Sequence, residues 1–358
     1  MIRRSRPPLW LAQPSRYAVV STINARLLLA ALAGLIVLSW VALALPGLAA
    51  DGGVELNGAI IDAVRHGGGY YAVAADALHA GEGSLDAAAP IRLPTLALVT
   101  GSLPALAAPV LLALLTAGAA VAWSRRLRPA LARPVALWSA MLLFVGGSAA
   151  AWRADAASVH EVWAGMLVAL SLARRQPGHW VESLGWGLLA ALVRETAAVY
   201  LIVMLCLAWR EGERREAAGW AAALVVVALT LAAHLLAIDR IVGAPFPIPS
   251  EWFGSPDFGE PVRAWRESTV LGIVPPALAG PLVALALAGW TAWRDPLAIR
   301  VVATLAAFAL LAGIGSSGAG LLTAPILLIG LAVVPDGLRD LLGAALDRRR
   351  ITVRRVTS

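Results

Sequence analysis

Residues 181–209 read VESLGWGLLAALVRETAAVYLIVMLCLAW, an apolar stretch interrupted in its middle by Arg194–Glu195. Either one long helix carries that pair at its centre, or two short helices meet there. A bilayer core of about 30 Å takes roughly 20 helical residues, so length alone allows both. Charge separates them. If the chain turns back at Arg194, 22 Arg fall in segments 1–26, 124–133, 174–180, 210–216, 294–300 and 337–358, and seven fall on the opposite side. If it runs straight through, everything downstream inverts and each side holds 14 Arg, with Arg194 in hydrocarbon. That arrangement loses the positive-inside bias and costs at least about 2.5 kcal/mol for the stranded charge. The sequence therefore predicts two passes, with both termini cytoplasmic.

The rest of the 358 residues has the same texture: 59% are hydrophobic and 14% charged, against about 45–50% and 25% in soluble domains. Disorder, a disulfide scaffold and an ordinary soluble enzyme are excluded. Further apolar runs lie at 27–48, 95–123, 134–151, 157–173, 217–238, 269–293, 298–315 and 320–334. The fold class is all-α and polytopic, with about ten transmembrane helices or half-helices. Pro104 and Pro109 interrupt the run 95–123, so its first turns are expected along the interface. Trp123, Trp152, Trp180, Trp209, Trp220, Trp290 and Trp293 fall at predicted helix ends, as an interfacial belt requires. The first run exceeds a signal-peptide core and follows five Arg, so it reads as a retained helix. The organisation is a cytoplasmic segment 1–26, a membrane domain 27–336 with outer loops 49–94 and 239–268, and an Arg-rich tail 337–358. All 29 basic residues are Arg. They cluster beside apolar runs, so topology explains them and nucleic acid does not. The single cysteine, Cys206, sits in an apolar run and offers no disulfide.

On this threading the far side holds 14 acids against seven Arg, mostly in the two outer loops. Long connections cost ordering entropy and usually carry function, so chemistry is expected there. Asp51 and Glu55 follow the first helix. Residues 57–65 and 71–79 fit short amphipathic helices, broken at 67–69, with Ile60, Ile61 and Val64 facing lipid or the bundle top. A carboxylate pinned at that interface is a better base, because desolvation disfavours its charge; the alternative is that both acids only solvate the loop. Arg92 precedes the second run, either as an interface anchor or as an inward fork suited to phosphate. Arg153, Asp155, His160 and Glu161 cluster at the next outer turn. No HxxxH or HxxE spacing marks a zinc site there, so no metal ligand is assigned and a divalent metal stays open as a cofactor. Arg194–Glu195 is either a structural ion pair at a turn or a site in a depression open to the outside, with Arg194 on a lipid-linked phosphate and Glu195 orienting it.

These features resemble the GT-C glycosyltransferases, multi-spanning enzymes that use polyprenyl-phosphate sugars. The likeness covers roughly residues 20–240 and rests on three elements: Asp51/Glu55 after the first helix, interfacial helices with Gly69-Tyr70-Tyr71, and Arg194 at the junction of a short helix pair. The chain departs from the pattern in lacking adjacent acids after the first helix and a soluble C-terminal domain. The resemblance implies transfer of a hexose or pentose from a polyprenyl-phosphate donor to an envelope acceptor on the extracytoplasmic face; the Arg-rich composition and the charge bias point to a bacterial inner membrane. Glu55 or Asp51 would be the base. Arg92, Arg153, Asp155, His160, Glu161, Arg194, Glu195, Tyr70 and Tyr71 would surround the substrate, with membrane lipids as the other partner. The alternatives are a non-catalytic envelope-assembly protein, a lipid or solute transporter, and a membrane acyl- or phosphotransferase.

Overall fold

The computed structural model describes residues 7–44, 53–80, 92–242, 257, 259–316 and 318–346. Among them the regular structure is entirely helical. In order come α1 (Thr22–Ala44), α2 (Gly53–Arg65), α3 (Tyr70–Ala80), α4 (Thr95–Gly101), α5 (Ala107–Leu127), α6 (Pro134–Gly147), α7 (His160–Arg174) and α8 (Val181–Val193). There follow α9 (Ala198–Glu211), α10 (Arg214–Val242), α11 (Glu260–Ser268), α12 (Pro276–Ala292), α13 (Pro296–Gly313), α14 (Ala324–Leu327) and α15 (Val334–Ala345). Four are long and apolar enough to cross a membrane: α1, α5, Arg214–Arg240 of α10, and α13. Proline and glycine explain most of the remaining breaks. Residues around Pro104 leave the helical path, so the run 95–123 divides into α4 and α5. The run 269–293 likewise divides before Pro275 into a 3-10 turn (Val270–Ile273) and α12. Gly212, at φ +81°, caps α9 in the left-handed region.

The quoted stretch turns back on itself. Helix α8 ends at Val193, Glu195–Ala197 form a 3-10 turn, and α9 returns. At the far end of the hairpin Glu211 comes back to Arg175, Nη2 to Oε2 at 3.5 Å, six residues before α8 begins. Arg175 also meets Glu216 at 2.9 Å, and buried Arg300 grips Glu211 through both carboxylate oxygens at 2.7 and 2.6 Å. This end of the bundle also holds the N-terminal segment. The backbone N–H groups of Leu9, Trp10 and Leu11 all donate to buried Asp336, at 2.6–2.8 Å. It is called here the terminal end. Segments 1–26 and 337–358 are therefore not simply free arms: residues 9–20 and α15 through Ala345 pack onto the bundle.

Helix α7 is the axis of the bundle, with 13 of its 15 residues buried. Close approach to it relies on Gly165, because a Cβ there would collide with the Leu321 carbonyl. The tightest crossing is Gly289 of α12 against Gly330 of the 3-10 segment Leu328–Val333. A Cβ on Gly289 would overlap the Gly330 carbonyl, and one on Gly330 would overlap the carbonyl of Ala286, also in α12. Gly289→Ala is accordingly expected to destabilise by about 1–3 kcal/mol, the usual range for overpacking, read as a lower unfolding midpoint in detergent. An unchanged midpoint would mean the crossing is looser than this.

The tryptophans correct the expected belt. Trp152 and Trp209 are exposed at element ends, but Trp123, Trp220 and Trp290 are fully buried and Trp293 nearly so. Trp290 donates to the carbonyls of Ile326 and Leu327, and Trp220 to Glu216. The N–H groups of these two are satisfied inside the protein, which removes their need for an aqueous edge; the Nε1 of Trp123 is buried without an acceptor among the described residues.

Candidate functional site

The other end of the bundle, the loop end, is uneven. Helices α9 and α10 both reach the terminal end near residues 211–216, yet α9 has 14 residues and α10 has 29. At 1.5 Å per residue the α8–α9 junction therefore lies about 20 Å below the tip of α10. Helices α2, α3 and α4 cover this recess. Ile60, Ile61, Tyr70, Ala74 and Ala97 form a small apolar cluster with Ile238 of α10. The amphipathic helices of the first loop thus face the bundle top with Ile60 and Ile61. Arg65 donates to Asp62 and to the carbonyls of Thr100 and Leu103, so it pins α2 to α4. Tyr71 shares a 3.0 Å hydrogen bond with buried His234 of α10. Tyr70 donates to the Arg92 carbonyl, and burial pushes its phenol well above the usual range.

Beneath the cap, four charged side chains from three parts of the chain converge. Arg194, at the end of α8, reaches Glu161 of α7, Nε to Oε1 at 2.8 Å, and pairs through Nη1 with Glu195. Arg92, just before α4, reaches Glu161 at 3.6 Å and Glu195 at 3.4 Å. Their side chains are 4% (Arg194), 11% (Glu161), 13% (Arg92) and 20% (Glu195) exposed. Two guanidinium groups against two carboxylates make a neutral set, which is how buried charges avoid an uncompensated desolvation cost. Arg194 belongs to both acids. Arg92 touches both at longer range, and its fork is the freer of the two.

The set is not closed. Both ring nitrogens of His160, Oε2 of Glu195 and Oγ1 of Thr196 are buried without a hydrogen-bond partner among the described residues. Each such group costs about 1–3 kcal/mol if left unmade, so these atoms beside the ion-paired set are available to a polar partner. Gly318, at φ +77°, lets the 318–323 turn lie directly against the Glu161 side chain.

Several expected residues join this site and others do not. Arg92, His160, Glu161, Arg194, Glu195 and Tyr70 come together, and Tyr71 borders them. Arg153 and Asp155 do not. They form their own exposed pair, Nη2 to Oδ2 at 3.0 Å, and the Arg153 hydrogen bonds hold the Asp155 carboxyl below its usual range. The reason is local: 3-10 turns at Ala149–Trp152 and Ala156–Ser158 end at Val159, and helix α7 then carries His160 and Glu161 inward. The junction is also less open than a depression facing outward, since Arg194 is sealed. Glu55 lies in the first turn of α2; Asp51 lies outside the described residues. Among the described residues no three His, Cys, Asp or Glu are grouped to hold a metal. No protein-family model, curated protein or solved structure matches the chain.

Proposed function

We propose that the chain is a multi-pass membrane protein of the inner membrane whose loop end faces away from the cytoplasm, and that it is a GT-C-like glycosyltransferase. Support for embedding comes from four helices long enough to cross and from large apolar side chains left exposed along them, among them Leu27 and Leu38, Leu114, Leu229 and Leu236, and Leu310. A single native cysteine, exposed Cys206, makes the orientation testable. In a Cys206→Ser background, cysteines placed at exposed Gly69 and His179 should label oppositely: Gly69→Cys in intact cells, His179→Cys only after permeabilisation. Labelling of both from the same side removes the membrane reading.

The observation that carries the transferase is the meeting of Arg92 and Arg194 under the cap formed by α2 and α3, beside unpartnered polar atoms. In the proposed reaction the sugar C1–O bond to the lipid phosphate breaks with oxocarbenium-like character, and the electron pair leaves on the phosphate oxygen. That oxygen departs already ionised, so the protein supplies cations rather than an acid. Arg92, the looser fork, takes the phosphate; Arg194 fixes Glu161 and Glu195 around it. The acceptor hydroxyl gives its proton to Glu55 or Asp51 as its oxygen bonds C1, which inverts the anomeric configuration.

Arg92→Ala should raise the KM for a polyprenyl-phosphate sugar in proteoliposomes by about tenfold or more, the loss of one charge-assisted hydrogen bond. Its unfolding midpoint should change less than that of an Arg194 variant. An unaltered KM would place the phosphate elsewhere. One observation keeps a transporter as the second reading: the irregular descent through the 318–323 turn, α14 and Leu328–Val333 is a further interrupted segment, and it touches α7. Movement of labelled lipid across the vesicle without discharge of its sugar would select that reading.

A further inference from the structure

At the terminal end, far from the charged set under the cap, the chain forms a half-open cavity of about 320 Å³. Its walls are the N-terminal segment (Leu11, Pro14), the end of α5 (Arg126) and the turn from α12 into α13 (Trp293, Arg294, Asp295). Two backbone hydrogen bonds hold the N-terminal segment against the α5 end: Ala12 N donates to Ala130 O at 2.8 Å, and Ala132 N to Trp10 O at 2.7 Å. The Arg294 Nε donates to Ser15 O at 3.2 Å, and Arg16 Nη2 to Trp293 O at 3.3 Å. The cavity is therefore built by the fold rather than left between loose surface side chains.

Its charge balance is unequal. Two guanidinium groups line it against one carboxylate, and that carboxylate is already committed. The Asp295 Oδ1 accepts from Leu297 N at 2.8 Å, capping α13, and from Arg126 Nη2 at 2.7 Å. The Nε of Arg126 is buried and has no acceptor among the described residues. Arg125, Arg128 and Arg133 are exposed on the same stretch of chain as Arg126. A cavity with a surplus of forked cations, an unmet donor and apolar walls of Leu, Pro and Trp suits an anion that carries an apolar body. Its volume is in the range of ligand sites and holds far more than the waters needed to satisfy one N–H.

We propose that this cavity binds the phosphodiester headgroup of an anionic phospholipid, with Arg126 and Arg294 on the phosphate. Location argues for a lipid over a free phosphate. The cavity lies where α5 and α13, two of the four membrane-crossing candidates, end and begin. Headgroups lie at that level, and basic pockets between helices on the cytoplasmic side are suited to them. The proposal rests on the membrane reading and on no property of the transferase, so cysteine labelling and lipid binding fail separately.

The test uses the full chain purified in a neutral detergent and titrated with phosphatidylglycerol or phosphatidylcholine, with retained lipid read by native mass spectrometry and the unfolding midpoint in parallel. Phosphatidylglycerol should be retained and raise the midpoint, and phosphatidylcholine should not. Arg294→Gln removes an exposed side chain with one backbone bond and should fold normally, binding about fivefold more weakly; Arg126→Gln/Arg294→Gln should lose about fivefold for each cation removed. Asp295→Asn is the decisive variant, because an Asn keeps the helix cap while freeing Arg126, so binding should tighten. Tightening cannot come from misfolding. Equal retention of the two lipids, unaltered binding by the double variant, or no gain in Asp295→Asn overturns the proposal. A midpoint shift from inorganic phosphate as large as that from phosphatidylglycerol overturns the lipid assignment.

Discussion

Arg194→Ala is expected to lower the stability of the purified protein by about 3–5 kcal/mol, because it leaves two buried carboxylates sharing only Arg92. Glu161 and Glu195 now hold Arg194 at the bottom of the recess, Glu161 at 2.8 Å from its Nε, and Arg92 reaches the same two oxygens only at 3.4–3.6 Å. One loosely placed cation does not compensate two anions out of water. Denaturant titration in detergent measures this directly. Arg194→Lys should recover part of the loss, since an ammonium keeps the charge but lacks the planar fork that bridges two carboxylates. Removing one acid in the same molecule, as Arg194→Ala/Glu161→Gln, should also be less damaging than the sum of the single changes, with a coupling of about 0.5–3 kcal/mol. Additive losses, or a stable and active Arg194→Ala protein, would dispose of the ion-paired set as a functional unit. If the set also holds the donor phosphate, the surviving fraction of Arg194→Ala should discharge donor about 10²–10³-fold more slowly, the scale of one lost electrostatic stabiliser.

How far this set could be read in the sequence depends on the residue. The turn at Arg194 was legible because a straight helix there erases the charge asymmetry of the whole chain, a global constraint that survives local ambiguity. Arg92 was legible only as one of two orientations, since a lone Arg before a helix points either way with equal local logic. Nearness in sequence groups Glu161 with Arg153 and Asp155, and the two short 3-10 turns before Val159 undo that grouping. A signal for its true partner was present. Two inward Arg with only Glu195 between them need a second buried acid, and Glu161 opens a helix that is otherwise almost wholly apolar up to Arg174. Trp123, Trp220, Trp290 and Trp293 failed as markers for a related reason, while Trp152 and Trp209 are exposed as a belt requires. A Trp at a helix end reads as interfacial, but at Trp290 the carbonyls of another segment satisfy the same N–H and at Trp220 the Glu216 carboxylate does, and only tertiary packing decides. The cap over the recess was legible in part. The periodicity of α2 and α3 gave amphipathic helices, whereas their seat against Ile238 depends on α10 being twice as long as α9.

Substituting both first-loop acids, Asp51→Ala/Glu55→Ala, is expected to reduce sugar transfer by about 10²–10⁴-fold, the contribution of a general base, and to leave the unfolding midpoint unaltered. The two readouts diverge because the charged set beneath the cap is made by Arg92, Glu161, Arg194 and Glu195, which contains neither acid. The single variants then assign the role. Whichever of Asp51→Asn and Glu55→Gln reproduces the double loss was the base, and the other keeps most of its activity. Glu55 begins from a defined place, in the first turn of α2, the helix that Arg65 ties to α4 just beyond Arg92. In the proposed reaction a base carried on that cap would stand on one side of the sugar and Arg92 would hold the departing phosphate on the other, an opposition that requires the product to have the inverted anomeric configuration. Transfer with retention would demand that the acceptor oxygen reach C1 from the phosphate's own face, either directly or after an enzyme carboxylate on the opposite face had displaced the phosphate. Wild-type turnover by the double variant would move proton abstraction to Glu161 or Glu195, and the ion-paired acids would then have to release an Arg before each turnover.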